Sequence, residues 1–152
     1  MYKIHLYSLL ILILSSQHYS KTFYTNGALK SEGWLEDGKK TRYWFYYYSG
    51  GNIHSKGHYE SDKKENYWFY FDEGGMPLKE GSYVNDLKQG WWKHYRKDTI
   101  IEIKYRCSKK EGLSVYKVGG TPVKAEYYKN GVKTNEWHTL RKFKREFPKV
   151  ND

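Results

Sequence analysis

The chain has 152 residues, a length typical of one domain, and aromatic residues make up 19% of it, with 17 tyrosines and 6 tryptophans. Small aliphatic residues are scarce, which argues against a deep aliphatic core and favours a thin β-structure whose surfaces suit tyrosine and tryptophan. The net charge of +10 predicts attraction to anions, and the single cysteine, Cys107, excludes an intramolecular disulfide and a cysteine zinc site.

The first twenty residues have the pattern of a secretory signal peptide. Lys3 gives a positive start, residues 6–14 form an apolar run, and small and polar residues follow in the sequence SSQHYS. The run is shorter than the about 20 apolar residues that a membrane-spanning helix needs. We therefore predict a signal peptide over residues 1–20, cleaved near Ser16 or Ser20, and an exported, periplasmic or secreted protein. The alternative is an N-terminal strand or helix packed on the sheet of a cytoplasmic protein.

A repeat begins after this segment. Trp44, Trp68 and Trp92 recur at one fixed interval, and Trp137 follows after slightly less than twice that interval. The glycine pairs at positions 50–51, 74–75 and 119–120 keep the same spacing, and the single glycines Gly33, Gly57 and Gly81 share the fixed interval. A period of this size indicates one small structural unit copied along the chain. The units cover residues 26–49, 50–73, 74–97 and 98–118, and a fifth begins at residue 119. The fourth has Ser114 near the place of the tryptophan.

Each unit contains two predicted strands. The first strands cover Leu29–Glu36, Ile53–Glu60 and residues 78–84 and 123–129, and turn residues such as Asp37-Gly38 and Asn130-Gly131 follow them. The second, aromatic strands cover residues 43–48, 67–71 and 91–95. The sequence therefore predicts an all-β fold, an elongated antiparallel meander of about five repeated β-hairpins and about ten strands, over residues 21–140. A basic tail over residues 141–152 is expected to be a frayed end or a short amphipathic helix.

Residues with catalytic or metal-binding potential are scattered. His54 and His58 lie four apart in a predicted strand, where about 13 Å separates them, too far to share one ion. The acidic pairs at positions 36–37 and 72–73 lie next to predicted turns. No phosphate-binding loop or nucleophile motif is present. We therefore predict no catalytic residue, no metal site, no cofactor and no enzymatic activity, and we expect Cys107 to be a small apolar residue in a strand.

The periodic aromatic residues are the candidates for binding a partner. Tryptophan and tyrosine dominate the binding hot spots of protein interfaces, and one strand face is expected to collect them on a protected, concave side of the sheet. The predicted partner-binding residues are Trp44, Tyr46, Trp68, Tyr70, Trp92, Tyr95 and Trp137. The same residues also fit a purely structural role as the core. Aromatic residues alternate with basic ones at 42–46 and 91–96, as in proteins that stack single-stranded nucleic acid, but nucleic acid is the least favoured partner because these aromatics follow the repeat.

The pattern NG-x-LK-x-EG-x-x-x-DGK, followed by W-x-YY and GG, resembles the MORN-repeat variant family, and within it the YwqK-like antitoxin group, over residues 24–140. This resemblance implies a non-catalytic sheet of hairpins that binds another protein, with a protein toxin as one partner class. The sequence GWLEDGKKTRYWFYYYSGG is also similar to one choline-binding, cell-wall-binding repeat. The alternative function is therefore an exported, envelope-associated module that binds cell-wall glycan or an anionic membrane surface.

Overall fold

The computed structural model of the protein describes residues 16–138 and Arg145. Residues 16–138 form one antiparallel sheet in which every strand pairs with the next along the chain. The strands are β1 (Gln17–Phe23), β2 (Leu29–Glu36), β3 (Lys39–Tyr47), β4 (Ile53–Glu60), β5 (Lys63–Phe71), β6 (Pro77–Val84), β7 (Leu87–Arg96), β8 (Thr99–Arg106), β9 (Lys109–Val118), β10 (Thr121–Lys129) and β11 (Val132–Trp137). The predicted all-β meander of repeated hairpins is confirmed.

Tight turns join the two strands of each unit. Asp37 and Gly38 have φ of +49° and +78°, and Asn130 and Gly131 have φ of +52° and +85°. Positive φ at both central residues is the geometry of the hairpin turn that Asn-Gly and Asp-Gly favour. The turns predicted from these residue pairs are therefore confirmed.

Cys107 occupies such a turn rather than a strand. It has φ +47°, lies between β8 and β9, and is exposed. The expectation of a strand position was wrong because the fourth unit places Cys107 and Ser108 where the other units have their turn residues.

Successive turns are hydrogen-bonded to one another along one edge of the sheet. The backbone N–H of Asp62 donates to the carbonyl of Lys40 at 3.0 Å, and Asp62 Oδ1 accepts from the N–H of Lys40 at 2.8 Å. Asp86 makes the same two bonds with Lys64. Each hairpin therefore orders the next, which is how a repeat protein stabilises units that would be marginal alone.

The first strand takes part in this pattern. Ser16 exchanges the same pair of hydrogen bonds with Asp37, and β1 pairs with β2 from Gln17 to Phe23. Ser16 thus precedes Lys40 by one repeat interval, and β1 corresponds to the aromatic strand of a preceding unit. Cleavage near Ser20, one of the two predicted positions, would remove part of β1. Cleavage near Ser16 would leave β1 whole, because Ser16 lies just before the strand. The predicted signal peptide otherwise falls on residues outside the described part, and export stays a prediction.

A β-bulge in each aromatic strand brings its tryptophan opposite a glycine. Trp44 pairs with Gly33 while Thr41 pairs with Trp34, so two residues of β3 are extra. The first of them, Arg42, has φ +59°, and the equivalent residues of later units also have positive φ: Asn66, Gly90 and Gly112. Bulges of this kind re-aim the side chains that follow them.

The sheet has two distinct faces, since neighbouring residues of a strand point to opposite sides. We call the side that carries Trp44, Trp68 and Trp92 the tryptophan face. The other side, the open face, carries the residue before each of these tryptophans: Tyr43, Tyr67 and Trp91. The main buried cluster lies on the tryptophan face.

The predicted basic tail, residues 141–152, lies outside the described part except for Arg145. In the described part, no helix is long and apolar enough to cross a membrane.

Candidate functional site: the two faces of the sheet

The three periodic tryptophans are core residues. Trp44, Trp68 and Trp92 are 3%, 0% and 0% exposed. A Cβ built on Gly57 would lie only 2.3 Å from Cδ2 of Trp68, and the indoles of Trp44 and Trp92 crowd Gly33 and Gly81 in the same way. Each indole therefore lies against a glycine of the preceding strand, which is why this glycine recurs with the period of the tryptophans.

The indole N–H groups also satisfy the backbone at the bulges. Nε1 of Trp68 donates to the carbonyl of His58 at 3.0 Å, and Nε1 of Trp92 donates to the carbonyl of Ser82 at 3.0 Å. A buried carbonyl without a partner would destabilise the fold. The tryptophans thus both pack the core and complete the hydrogen bonding of the strand before them.

Tyrosines connect the tryptophans into a continuous aromatic strip. Tyr59 lies edge-on to Trp68 with ring centroids 5.0 Å apart, and Tyr70 stacks on Trp68 at 6.1 Å. Tyr70 and Tyr83 share a hydrogen bond between their hydroxyl groups at 3.0 Å. Burial, followed by the Tyr83 hydrogen bond, raises the pKa of Tyr70, so its hydroxyl stays protonated. Tyr46, half-buried, takes the equivalent place in the first unit.

A lysine lies within each group of rings. Nζ of Lys64 lies 4.6 Å from the ring centroid of Trp68 and 5.3 Å from that of Tyr83, and it donates to Tyr70 Oη at 3.1 Å. Lys40 contacts the three equivalent rings one repeat earlier, and Lys88 contacts the two equivalent rings of Trp92 and Tyr105 one repeat later. Burial lowers the pKa of Lys64 and of Lys88. Their attraction to the rings is a cation–π interaction, which strengthens as the ammonium loses water.

The third unit interrupts the strip with a histidine. His94 stands where the first two units have Tyr46 and Tyr70, and its Nε2 is buried without a hydrogen-bond partner among the described residues. Burial, together with the charges of Lys88 and other basic residues, lowers the pKa of His94 to about 4. The imidazole is therefore neutral at pH 7.

The open face exposes a second aromatic row. Tyr43, Tyr67 and Trp91 are 38%, 38% and 46% exposed, and they share the fixed interval of the tryptophans. Each tyrosine of this row packs beside a phenylalanine two residues on, Tyr43 with Phe45 at 5.2 Å and Tyr67 with Phe69 at 5.0 Å between ring centroids. The result is an aromatic surface that remains in contact with solvent.

Three lysines on the open face are paired with carboxylates. Salt bridges join Lys21 to Glu32 at 3.5 Å, Lys93 to Glu80 at 3.7 Å and Lys117 to Glu102 at 2.8 Å. Tyr95, one of the predicted binding residues, lies here rather than in the strip, because it stands three residues after Trp92 in β7, and its hydroxyl donates to Glu80 at 2.9 Å. Two other lysines of this face, Lys56 and Lys104, lie over the rings of Phe69 and Trp91.

Trp137 does not continue the strip of the other three tryptophans. It pairs with Ala125, which pairs with Val115, and these residues form a separate buried cluster with Leu113. On the tryptophan face, Trp92 is followed through Ile103 by Ser114, the neighbour of Val115. Since neighbours in a strand point to opposite sides, Trp137 lies on the open-face side, where it is 6% exposed.

A polar cluster replaces the tryptophan and glycine at this end of the tryptophan face. Ser114 takes the tryptophan position, and Glu126, 4% exposed, takes the glycine position. The carboxylate accepts hydrogen bonds from Tyr116 and Tyr128 at 2.8 Å and pairs with Lys124 at 2.9 Å. Burial alone would raise the pKa of Glu126, but these donors lower it to about 2.

The candidate metal ligands considered from the sequence do not converge. His54 and His58 both lie in β4, where His54 Nδ1 bonds to Ser55 Oγ at 3.0 Å. Within the described ranges, no group of three or more His, Cys, Asp or Glu could hold a metal ion.

One periodic set was missed in the sequence, the lysines four residues before each tryptophan, Lys40, Lys64 and Lys88, although their interval is that of the tryptophans. The exposed row does follow from the sequence, because strand alternation places Tyr43 and Tyr67 on the face opposite the neighbouring tryptophans. Its exposure confirms that this face is the more open one.

Comparison with known proteins gives no match from which a function could be inferred. No protein-family model matches the chain, and no curated protein sequence matches it.

Proposed function

We propose that the chain is a non-catalytic scaffold that binds another protein through its open face. The observation that carries this proposal is the exposed row of Tyr43, Tyr67 and Trp91, one aromatic side chain per repeat. Solvent-exposed aromatic surface on a rigid sheet is typical of interaction sites, and tyrosine and tryptophan are the residue types that contribute most at their centres.

The tryptophan strip has a supporting role in this proposal. Trp44, Trp68 and Trp92 fix the strand register from the opposite side, so the exposed row is held in one arrangement before a partner arrives. A preorganised surface binds more tightly because little conformational entropy is lost on association.

A protein toxin is the partner class that the resemblance to the MORN-repeat variants implies. This part of the proposal predicts that a toxin is encoded beside the gene of this chain and that the two proteins form a complex. An unrelated genetic neighbourhood, together with no toxin among captured proteins, would count against it.

Affinity capture from the protein's own cells, followed by mass spectrometry, tests the proposal. The variant Tyr43→Ser/Tyr67→Ser/Trp91→Ser removes the exposed row and leaves the buried strip unchanged. The matched control, Met76→Ser/Leu87→Ser/Val132→Ser, removes three other exposed apolar side chains, which are 66%, 44% and 67% exposed.

We expect the control to retain the captured partner and the triple aromatic variant to lose it, with thermal unfolding of both close to that of the unchanged protein. A partner retained by the aromatic variant, or lost equally by both variants, would refute the open face as the binding surface.

A further inference from the structure

The tryptophan face carries an unpaired row of positive charge that the proposed function does not use. The row consists of Lys40, Lys64, Lys88 and Lys110, and each of these lysines lies directly opposite a core side chain of the preceding strand: Leu35, Tyr59, Tyr83 and Tyr105. We call these four residues the lysine row. They stand at the same position in β3, β5, β7 and β9, so the row runs across the strands.

No carboxylate of the described residues forms an ion pair with the lysine row. In the part of the chain that the structure describes, none of the four lysines forms a salt bridge, whereas three of the open-face lysines, Lys21, Lys93 and Lys117, do. The Oδ1 atoms of the turn residues Asp62 and Asp86 accept the backbone N–H groups of Lys40 and Lys64, and the charge of Asp86 opposes only part of the effect of burial on the pKa of Lys64.

The aromatic rings hold the ammonium groups in place. Nζ of Lys64 is restrained by Trp68, Tyr70 and Tyr83, and Nζ of Lys110 lies 4.5 Å from the ring centroid of Tyr128. A lysine on a free surface would lose rotamer entropy on binding an anion, and these side chains have already lost part of it. The row is thus a preorganised line of half-buried positive charges.

The spacing of the row fits one kind of anionic chain. Neighbouring strands lie about 4.8 Å apart, so lysines on alternate strands are about 9.6 Å apart. A polypeptide in the polyproline II conformation has three residues per turn and rises about 3.1 Å per residue, which places every third side chain on one side at intervals of about 9.3 Å.

We propose that the lysine row binds an extended acidic peptide segment of a partner protein, with a carboxylate at every third residue. The segment crosses the strands over the tryptophan face, each carboxylate meets one lysine, and the intervening residues pack on the tyrosines. This inference is independent of the aromatic row, since the two surfaces lie on opposite faces of the sheet.

Other polyanions match the row less well. Duplex DNA presents a phosphate about every 3.4 Å along each strand, so most phosphates would have no lysine opposite them. An anionic membrane attracts exposed basic residues according to their number, and the lysine row is half-buried while other lysines of the chain are exposed. Tighter binding to duplex DNA or to an anionic membrane is therefore the alternative result that the experiments below must exclude.

The first experiment compares two variants of equal charge. Lys40→Gln/Lys64→Gln removes two members of the row, and Lys39→Gln/Lys63→Gln removes the preceding residue of each strand, which is exposed and points to the other face. Binding of the peptide (Glu-Pro-Pro)4 is measured by calorimetry at low salt. We expect binding about tenfold weaker for the row variant, as for the loss of two partly exposed ion pairs, and nearly unchanged for the control. Equal losses would show an effect of net charge alone and overturn the proposal.

The second experiment uses the unaltered protein, so it holds even if the row variant folds poorly. The comparison peptide has four glutamates in succession followed by eight prolines, with the same charge and composition. We expect the regularly spaced peptide to bind more tightly and its binding to weaken with salt. Equal binding of both peptides would overturn the proposal, and so would tighter, row-dependent binding to duplex DNA or to phosphatidylserine vesicles.

Discussion

Replacement of Gly57 by alanine tests the contact between tryptophan and glycine that defines the repeat. The added Cβ would lie 2.3–2.5 Å from three indole carbons of Trp68, whereas carbon atoms in contact are about 3.5 Å or more apart. The indole would have to retreat by at least about 1 Å. It cannot do so freely, because it is fully buried, packs on Tyr59 and Tyr70, and donates to the carbonyl of His58.

The expected cost combines two opposing effects. Overpacking in a dense core costs about 1–3 kcal/mol, and alanine is better than glycine in a strand by about 0.5–1 kcal/mol. We therefore expect Gly57→Ala to lower the free energy of unfolding by about 1 kcal/mol in urea denaturation. Gly50→Ala is the matched control, since Gly50 has open space around its Cβ position, and its effect should stay within about 0.5 kcal/mol.

A double-mutant cycle isolates the contact. Trp68→Ala alone should cost about 3–5 kcal/mol, and in that background Gly57→Ala should be neutral or stabilising because the indole is gone. If Gly57→Ala costs the same with and without Trp68, or no more than Gly50→Ala, the close approach does not explain the periodic glycines.

Three further predictions concern stability. His94→Tyr should supply the hydroxyl that Tyr70 offers to Lys64 in the preceding unit. Because the pKa of His94 is about 4 in the folded protein against 6.5 in the unfolded chain, protonation of the unfolded state destabilises the unchanged protein as pH falls from 6.5 to 4, by about 2 kcal/mol after allowance for solvent screening. In thermal melts across this pH range, the variant should lose the dependence. Glu126→Gln should lower the free energy of unfolding by about 2 kcal/mol at pH 7. The pKa of Glu126 is about 2 in the folded protein against 4.5 in the unfolded chain, so the ionised carboxylate stabilises the fold above pH 4.5. The difference in stability between the variant and the unchanged protein should vanish as pH approaches 2. Asp62→Ala should cost about 1–2 kcal/mol in urea, because it removes the acceptor of the Lys40 N–H and strains a residue with φ +68°, whereas Asp62→Asn should be nearly neutral.

The strands and turns of this fold could be predicted because the determining signals are local. Leu29–Glu36 and Ile53–Glu60 begin and end as the sequence indicates, since each is bounded by residues that adopt positive φ readily. The aromatic strands were predicted too short. β3 starts at Lys39 rather than at residue 43, because a bulge lets the pairing continue through Arg42, and arginine is not a residue that indicates positive φ.

The side of the sheet that each tryptophan occupies could not be predicted in the same way. In β3 two residues are extra between the pairs Trp34–Thr41 and Gly33–Trp44. In β11 only one residue is extra, between the pairs Tyr128–Lys133 and Tyr127–Asn135.

A change of one residue in register moves every later side chain to the opposite face. Trp137 stands four residues after Lys133, just as Trp44 stands four residues after Lys40. Because of the different bulge, Trp137 nevertheless lies on the open-face side. The two kinds of bulge differ at Asn135, which is equivalent to Asn66. Asn66 has positive φ, and Asn135 does not. Asparagine permits both conformations, and neighbouring strands decide between them: Glu126 fills the glycine position, so an indole aligned as in the first three units would meet a buried carboxylate. The register of the last hairpin therefore follows from a contact between strands, which the spacing of tryptophans along the chain does not contain.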